Sequence, residues 1–147
     1  YKTIDDKGTY YEIKYDSLGR IKNLTPYTEG QLNGTEVVFR DNLGVVVLLP
    51  YKNGKREGFT YEFYEGQQTG FKGESINDKF EGKSTWFYKN GQPNETGVRT
   101  NGKKDGKWTE DFENGEIKAE GTYSEGKMNE DWVSWNSDGT IDTTKIE

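Results

Sequence analysis

Apolar and polar positions alternate along this chain in short runs, and nearly every run opens on a glycine. The runs read GTYYEIKYDSLG from Gly8, GTEVVFRDNLG from Gly34, GFTYEFYEG from Gly58, GKSTWFYKNG from Gly82, GKWTEDFENG from Gly106 and EDWVSWNSDG from Glu130. Each holds about six residues rich in Tyr, Phe, Trp, Val and Thr, the composition of a β-strand. No stretch sustains apolar residues at i, i+3, i+4 and i+7, so the pattern predicts no helix.

The runs are evenly spaced. Gly34, Gly58, Gly82 and Gly106 follow one another at 24 residues, and Glu130 falls on the next step. Gly8 lies 26 residues before Gly34, which makes the first unit slightly longer. Each run ends in a turn, at Asn42-Leu43-Gly44, Glu65-Gly66, Asn90-Gly91, Asn114-Gly115 or Asp138-Gly139. Asn-Gly and Asp-Gly suit the type I′ hairpin turn, whose two central residues both need positive φ. A weaker strand then returns, for example over 117–123. A second turn follows at Asn53-Gly54-Lys55, Asn77-Asp78-Lys79, Asn101-Gly102-Lys103 and Glu125-Gly126-Lys127, again in steps of 24. The prediction is an all-β fold: an elongated single-layer antiparallel meander of about six repeated β-hairpins. It forms one array over residues 1–147, with units starting near 8, 34, 58, 82, 106 and 130.

Columns of the repeat assign the faces, because residues two apart in a strand share a face. Ile13, Phe39, Phe63, Phe87, Asp111 and Trp135 form one column, and Tyr11, Val37, Tyr61, Thr85, Thr109 and Val133 another. Together they predict an apolar stripe that Asp111 interrupts. The opposite face carries Tyr10, Tyr64, Trp86, Tyr88, Trp108, Phe112 and Trp132, mixed with Glu12, Glu36, Glu62 and Glu110. Tyr64, Trp86, Tyr88, Trp108, Phe112 and Trp132 would lie on neighbouring hairpins. They are the candidate partner-binding surface, because exposed aromatics bury much area at low entropic cost.

Composition changes this picture in three ways. Hydrophobic residues are only 29% and charged residues 31%, which alone would suggest disorder. Aromatics at 14% and 19 regularly spaced glycines instead favour a thin fold with little core. The net charge of −6 disfavours nucleic acid and anionic membranes, since no basic patch is available to neutralise phosphates. It leaves a basic partner protein or a neutral ligand open. The chain has no cysteine and no histidine, which removes disulfides, the commonest general base and the commonest metal ligand. The most apolar run, VVVLL at 45–49, has the length of a strand and not of a membrane span. The chain starts at Tyr1 and not at Met, which reads as a trimmed segment and leans toward a secreted or cell-envelope protein.

YKNGKREG at 51–58, followed by an aromatic strand and Gly66, resembles a MORN repeat. NDKFEGKSTWFYKNGQ at 77–92 and NGKKDGKWTEDFENGEIKAEGTY at 101–123 resemble its bacterial variant. The likeness is clear over 51–123 and weaker over 27–50. It is weaker too in the last unit, where Asn129-Glu130 replaces the expected glycine. The first 26 residues match least. The resemblance implies elongated, twisted antiparallel sheets of hairpins. It also implies protein–protein interaction, dimerisation or lipid-associated roles, and in many bacterial members an antitoxin role.

The preferred functional expectation is a non-catalytic protein-binding scaffold without cofactor or metal. The first alternative is an antitoxin or immunity protein that neutralises one cognate toxin. The second is a carbohydrate-binding surface protein whose Trp and Tyr stack on sugar rings. Glu62 with Glu110, or Glu36 with Glu62, could in principle form a hydrolytic carboxylate pair, but 26 acidic residues make chance pairs expected. Asp5-Asp6, Asp41-Asn42 and Asn77-Asp78 do not match a calcium loop and read as solvated turns. Asn23, Asn33 and Asn94 open glycosylation sequons that read as coincidental. The open ends of the sheet offer unpaired backbone for self-association or strand capture, with the polar segment 140–147 placed to blunt one of them.

Overall fold

A computed structural model describes residues 8–41 and 44–142. The described residues contain no helix. They form β1 (Thr9–Tyr15), β2 (Ile21–Thr28), β3 (Gln31–Leu32), β4 (Gly34–Phe39), β5 (Val45–Lys52), β6 (Lys55–Arg56) and β7 (Gly58–Phe63). The chain continues through β8 (Thr69–Ile76), β9 (Lys79–Phe87), β10 (Pro93–Thr100), β11 (Lys103–Asp111), β12 (Ile117–Ser124), β13 (Lys127–Met128) and β14 (Val133–Ser134). All 14 join one open sheet whose long strands pair in chain order, the meander the repeat predicts. β3 and β6 pair with β2 and β5, and β14 pairs with β12.

Two turn types alternate. At Glu29-Gly30, Asn53-Gly54, Asn77-Asp78, Asn101-Gly102 and Glu125-Gly126 both residues have positive φ, between 50° and 87°. That is the type I′ signature, which matches the right-handed twist of the flanking strands. At the other ends of the hairpins the sequence expectation of type I′ fails. Gly91, Gly115 and Gly139 are left-handed, but Asn90, Asn114 and Asp138 are not. These loops hold three residues and close through Gly91 N–H to Tyr88 C=O (2.9 Å), Gly115 N–H to Phe112 C=O (2.9 Å) and Gly139 N–H to Asn136 C=O (3.0 Å). The pattern is a turn followed by a one-residue bulge. The Asn and Asp side chains explain the choice, because each accepts the backbone N–H two residues on: Gln92, Glu116 and Thr140, at 2.9–3.0 Å. In the hairpin of β7 and β8 the slot of Gly91 is held by Gln67, at φ 69°, beside Gly66 at 94°. The predicted turn at Asn42-Leu43-Gly44 has two of its residues outside the described ones.

The first unit also differs from expectation. Ile13 pairs with Leu24, Leu24 with Val37 and Val37 with Leu48, so β1 is in step with β4 at 24 residues. Tyr10, not Gly8, therefore stands where Gly34 stands one unit later. Ile13 aligns with Val37 and Tyr61 in place of Phe39 and Phe63.

A sheet this thin encloses little. Phe71, Trp108 and Ala119 are the buried hydrophobic side chains among the described residues. All three lie on one face of β8–β12, with buried Thr60, Ser75 and Ser84 beside them.

Candidate functional site

Cross-strand partners share a face, so the register sorts the side chains into rows. One row crosses every long strand: Ile13, Leu24, Val37, Leu48, Tyr61, Lys72, Thr85, Thr96, Thr109, Glu120 and Val133. It defines the front face. Its first five members are apolar, and the next five are polar. The back face carries the neighbouring rows, in which Glu62, Phe71, Trp86, Glu95, Glu110 and Ala119 pair in sequence, as do Thr60, Gly73, Ser84, Gly97, Trp108 and Gly121.

The predicted partner-binding residues fall on the back face in two lines with different work. Trp86, Trp108 and Trp132 belong to a chain of ring contacts. It runs from Phe80 to Phe71 (5.4 Å between centroids), Trp86 (4.5 Å), Trp108 (6.3 Å), Tyr123 (6.1 Å) and Trp132 (5.4 Å). Trp108 has 0% of its surface exposed. It lies flat on Gly97, where an added Cβ would stand 2.2 Å from its ring, and Trp132 covers Gly121 in the same way at 2.5 Å. Both indoles donate Nε1–H to a strand carbonyl one hairpin back, Val98 at 2.9 Å and Thr122 at 3.0 Å. The spine is roofed by the chain's own cations. The Arg99 guanidinium sits 5.3 Å from the Trp86 ring and 5.5 Å from Trp108, and Lys104 sits 4.3 Å from Trp108 while pairing with Glu95. Burial lowers the pKa of Arg99.

Tyr64, Tyr88 and Phe112 form the second line, 24 residues apart beside the three-residue turns. Tyr64 donates its hydroxyl to Phe87 C=O at 2.8 Å, and Tyr88 does the same to Asp111 C=O at 2.8 Å. Arg40, one step earlier in the column, donates to Phe63 C=O. Each side chain thus ties its hairpin to the next. Phe112 has no hydroxyl and cannot. None of the six predicted residues is exposed: Trp108 is buried and the other five are half-buried. Sequence reasoning placed them on one face correctly, but not their contacts with glycine, backbone and cations. The regular step of Gly73, Gly97 and Gly121 was the available signal for rings lying on bare backbone.

The front face holds the more open chemistry. Phe59 is exposed, and Tyr61 contacts both Phe59 (6.5 Å) and Phe63 (6.3 Å). Next to these rings lies a cleft of about 430 Å³ lined by Phe59, Lys72, Glu74, Lys83, Thr85, Phe87, Pro93, Thr96 and Asp111. Its floor is the threonine row, in which the Thr85 and Thr96 hydroxyls share a 2.8 Å hydrogen bond. Lys72 is occupied, since its ammonium stands 4.6 Å from the Phe59 ring and 5.5 Å from Tyr61. Asp111, the predicted interruption of the apolar stripe, lines this cleft, and burial raises its pKa.

Other candidates are not assembled. Glu62 and Glu110 share a row but lie four strands apart, roughly 19 Å at the usual strand spacing, wider than paired glycosidase carboxylates. Among the described residues no group of three or more acidic side chains is placed to hold a metal ion. Asp5, Asp6 and Asn42 lie outside the described residues, as do residues 143–147 of the predicted polar cap. Within that cap, Asp142 N–H donates to Ser134 C=O at 2.8 Å. No protein-family model matches this chain, and no curated protein matches it.

Proposed function

We propose that this chain is a non-catalytic protein-binding scaffold of MORN-like hairpins, and that it binds through its front face. The observation that carries the reading is the apolar row Ile13, Leu24, Val37, Leu48 and Tyr61, which crosses five adjacent strands of a sheet with one layer. Contiguous apolar surface without a covering layer is a mark of an interaction site in a soluble chain. The back face is less suited to the role, because its rings already contact one another and carry cations from the same chain. The 24-residue step and the alternating turns support the MORN likeness. An antitoxin is the case in which the partner is a single toxin.

A pull-down comparing the intact chain with a Val37→Lys, Leu48→Lys double variant tests the face. Both positions are half-buried, so the fold should survive. Survival is checked by far-UV circular dichroism. The expected outcome is loss of the partner recovered by the unmodified chain. Equal recovery by the folded variant would remove the front face from the proposal. Light scattering on both proteins separates a foreign partner from a second copy: self-association through this face predicts a mass that falls to the monomer in the variant.

A further inference from the structure

The cleft on the front face carries two groups that want the same thing and lack it. The Asp111 carboxylate has no hydrogen bond or ion pair among the described residues, although it is half-buried beside Phe87 and Pro93. On the neighbouring strands Lys104 pairs with Glu95, Lys107 with Glu120 and Lys118 with Glu110. Phe87 is likewise bare. Lys72 stands over Phe59 and Tyr61, Lys89 over Tyr64, Arg56 over Phe80 and Arg99 over Trp86, but among the described residues no cation stands over Phe87.

Phe87 and Asp111 lie at the same end of the cleft, each two residues beyond a member of the threonine row, Thr85 and Thr109. The cleft's own cation without a partner, Lys83, lies at the other end. It is four residues from Phe87 along β9, about 13 Å, and too far to reach Asp111 directly. The result is a cleft with Asp111 at one end and, toward the other, Lys83 and Glu74, with the Lys72 ammonium leaning onto Phe59. Its volume falls in the range of small binding sites, roughly 300–1,000 Å³.

We propose that this cleft receives an arginine or lysine side chain from an extended segment of the partner, its stem against Phe87 and Pro93 and its charge on the Asp111 carboxylate. The inference rests on the scaffold reading above and names the partner's chemistry. A guanidinium suits the site best, because it is planar, stacks on a ring and forms two parallel hydrogen bonds with a carboxylate. The chain's net charge of −6 favours approach of a basic segment. Lys72 and Lys83, offset in part by Glu74, leave the far end net positive, which disfavours a second basic residue there and sets the direction in which the segment lies. The unengaged Asp111 carboxyl is raised by burial. A cation docked on it would lower it, which gives a readout independent of affinity.

The test uses three blocked hexapeptides that differ only at one central residue, arginine, norleucine or glutamate, titrated into the isotope-labelled chain and followed by NMR. The arginine peptide should shift the amides of Thr96, Thr109 and Asp111 and lower the Asp111 titration midpoint. It should bind about tenfold more tightly than the norleucine peptide, a difference of about 1.4 kcal/mol. Asp111→Asn should erase that preference while the spectrum stays folded. If the glutamate peptide binds the cleft better, or if folded Asp111→Asn keeps the arginine preference, the proposal is overturned and the scaffold reading stands. If none of the three perturbs the cleft, this proposal also fails. The scaffold reading is then judged by the Val37→Lys, Leu48→Lys comparison, which does not involve the cleft.

Discussion

The same repeat slot is built in two ways in the two halves of the sheet. In the half from β7 to β12 the slot holds Gly73, Gly97 and Gly121, and the later two carry an indole flat against the backbone. In the half from β1 to β5 the slot holds Thr25 and Leu49. There Glu36 replaces the ring: its carboxylate accepts from Thr25 Oγ1 at 3.1 Å and from Asn23 Nδ2 at 3.0 Å. Burial follows the difference. Phe71, Trp108, Ala119, Gly73 and Gly121 are all buried in the glycine half, whereas in the other half only Thr25 and Pro26 are. A one-layer sheet has no opposite layer to bury against. Where glycine leaves the slot without a side chain, neighbouring rings close over the bare backbone, and stability becomes a sum of contacts between adjacent hairpins. Where the sheet keeps side chains in the slot, no ring closes over the backbone, and Val38, Val47 and Leu49 share the back face with Glu36 while the apolar row Ile13, Leu24, Val37 and Leu48 lies on the front.

Substitutions in the two halves sharpen the comparison. The largest effect is expected at Trp108→Ala, which removes a fully buried ring from the middle of the spine and should cost about 4 kcal/mol in urea denaturation. In the other half, Leu49→Ala, at a half-buried position in the slot that glycine fills elsewhere, should cost about 1 kcal/mol. Equal costs would erase the distinction between the halves. Gly97→Ala comes next, at about 2–3 kcal/mol, because the new methyl would meet the Trp108 ring within the spine. Tyr88→Phe should cost about 1 kcal/mol through loss of the bond to Asp111 C=O, with no matching loss for Phe112→Leu, which has no such bond to lose.

The smallest effect is one of sign. Asp111 has a raised folded pKa. Its relative stabilisation is fully present below the ordinary carboxylate range and is lost as pH rises through the folded value. Asp111→Asn should therefore be slightly more stable than the parent near neutral pH, and the difference should fade on acidification. A loss of stability at neutral pH would mean that Asp111 has a favourable partner in the folded chain.

Much of the fold was legible because the glycines and turn dipeptides recur at a fixed step. Strand composition, the meander and the placing of turns at Asn53-Gly54 and Asn101-Gly102 all follow from local chemistry. Asn90-Gly91 was misread because Asn-Gly satisfies two turn types. The choice lies with the Asn90 side chain, which accepts from Gln92 N–H, and with the bulge that joins the strands. The offset at Gly8 was misread because a glycine was matched to glycines, while strand register is set by the paired apolar positions Ile13, Leu24 and Val37. The candidate site was half legible. Face assignment follows from alternation, and Asp111 already stood out as an interruption. That Trp108 would be covered by Arg99 and Lys104 depends on contacts between hairpins that the column alone does not contain.

Native-state hydrogen exchange along the sheet tests the central claim most directly. Stacking of rings on glycine predicts that the amides of β9 to β12 exchange slowest, with protection falling through β7 toward β1 and β2. Trp108→Ala should lower protection on β10 and β12 more than on β4 and β5. Uniform protection across all hairpins, or the slowest exchange on β4 and β5, would contradict it.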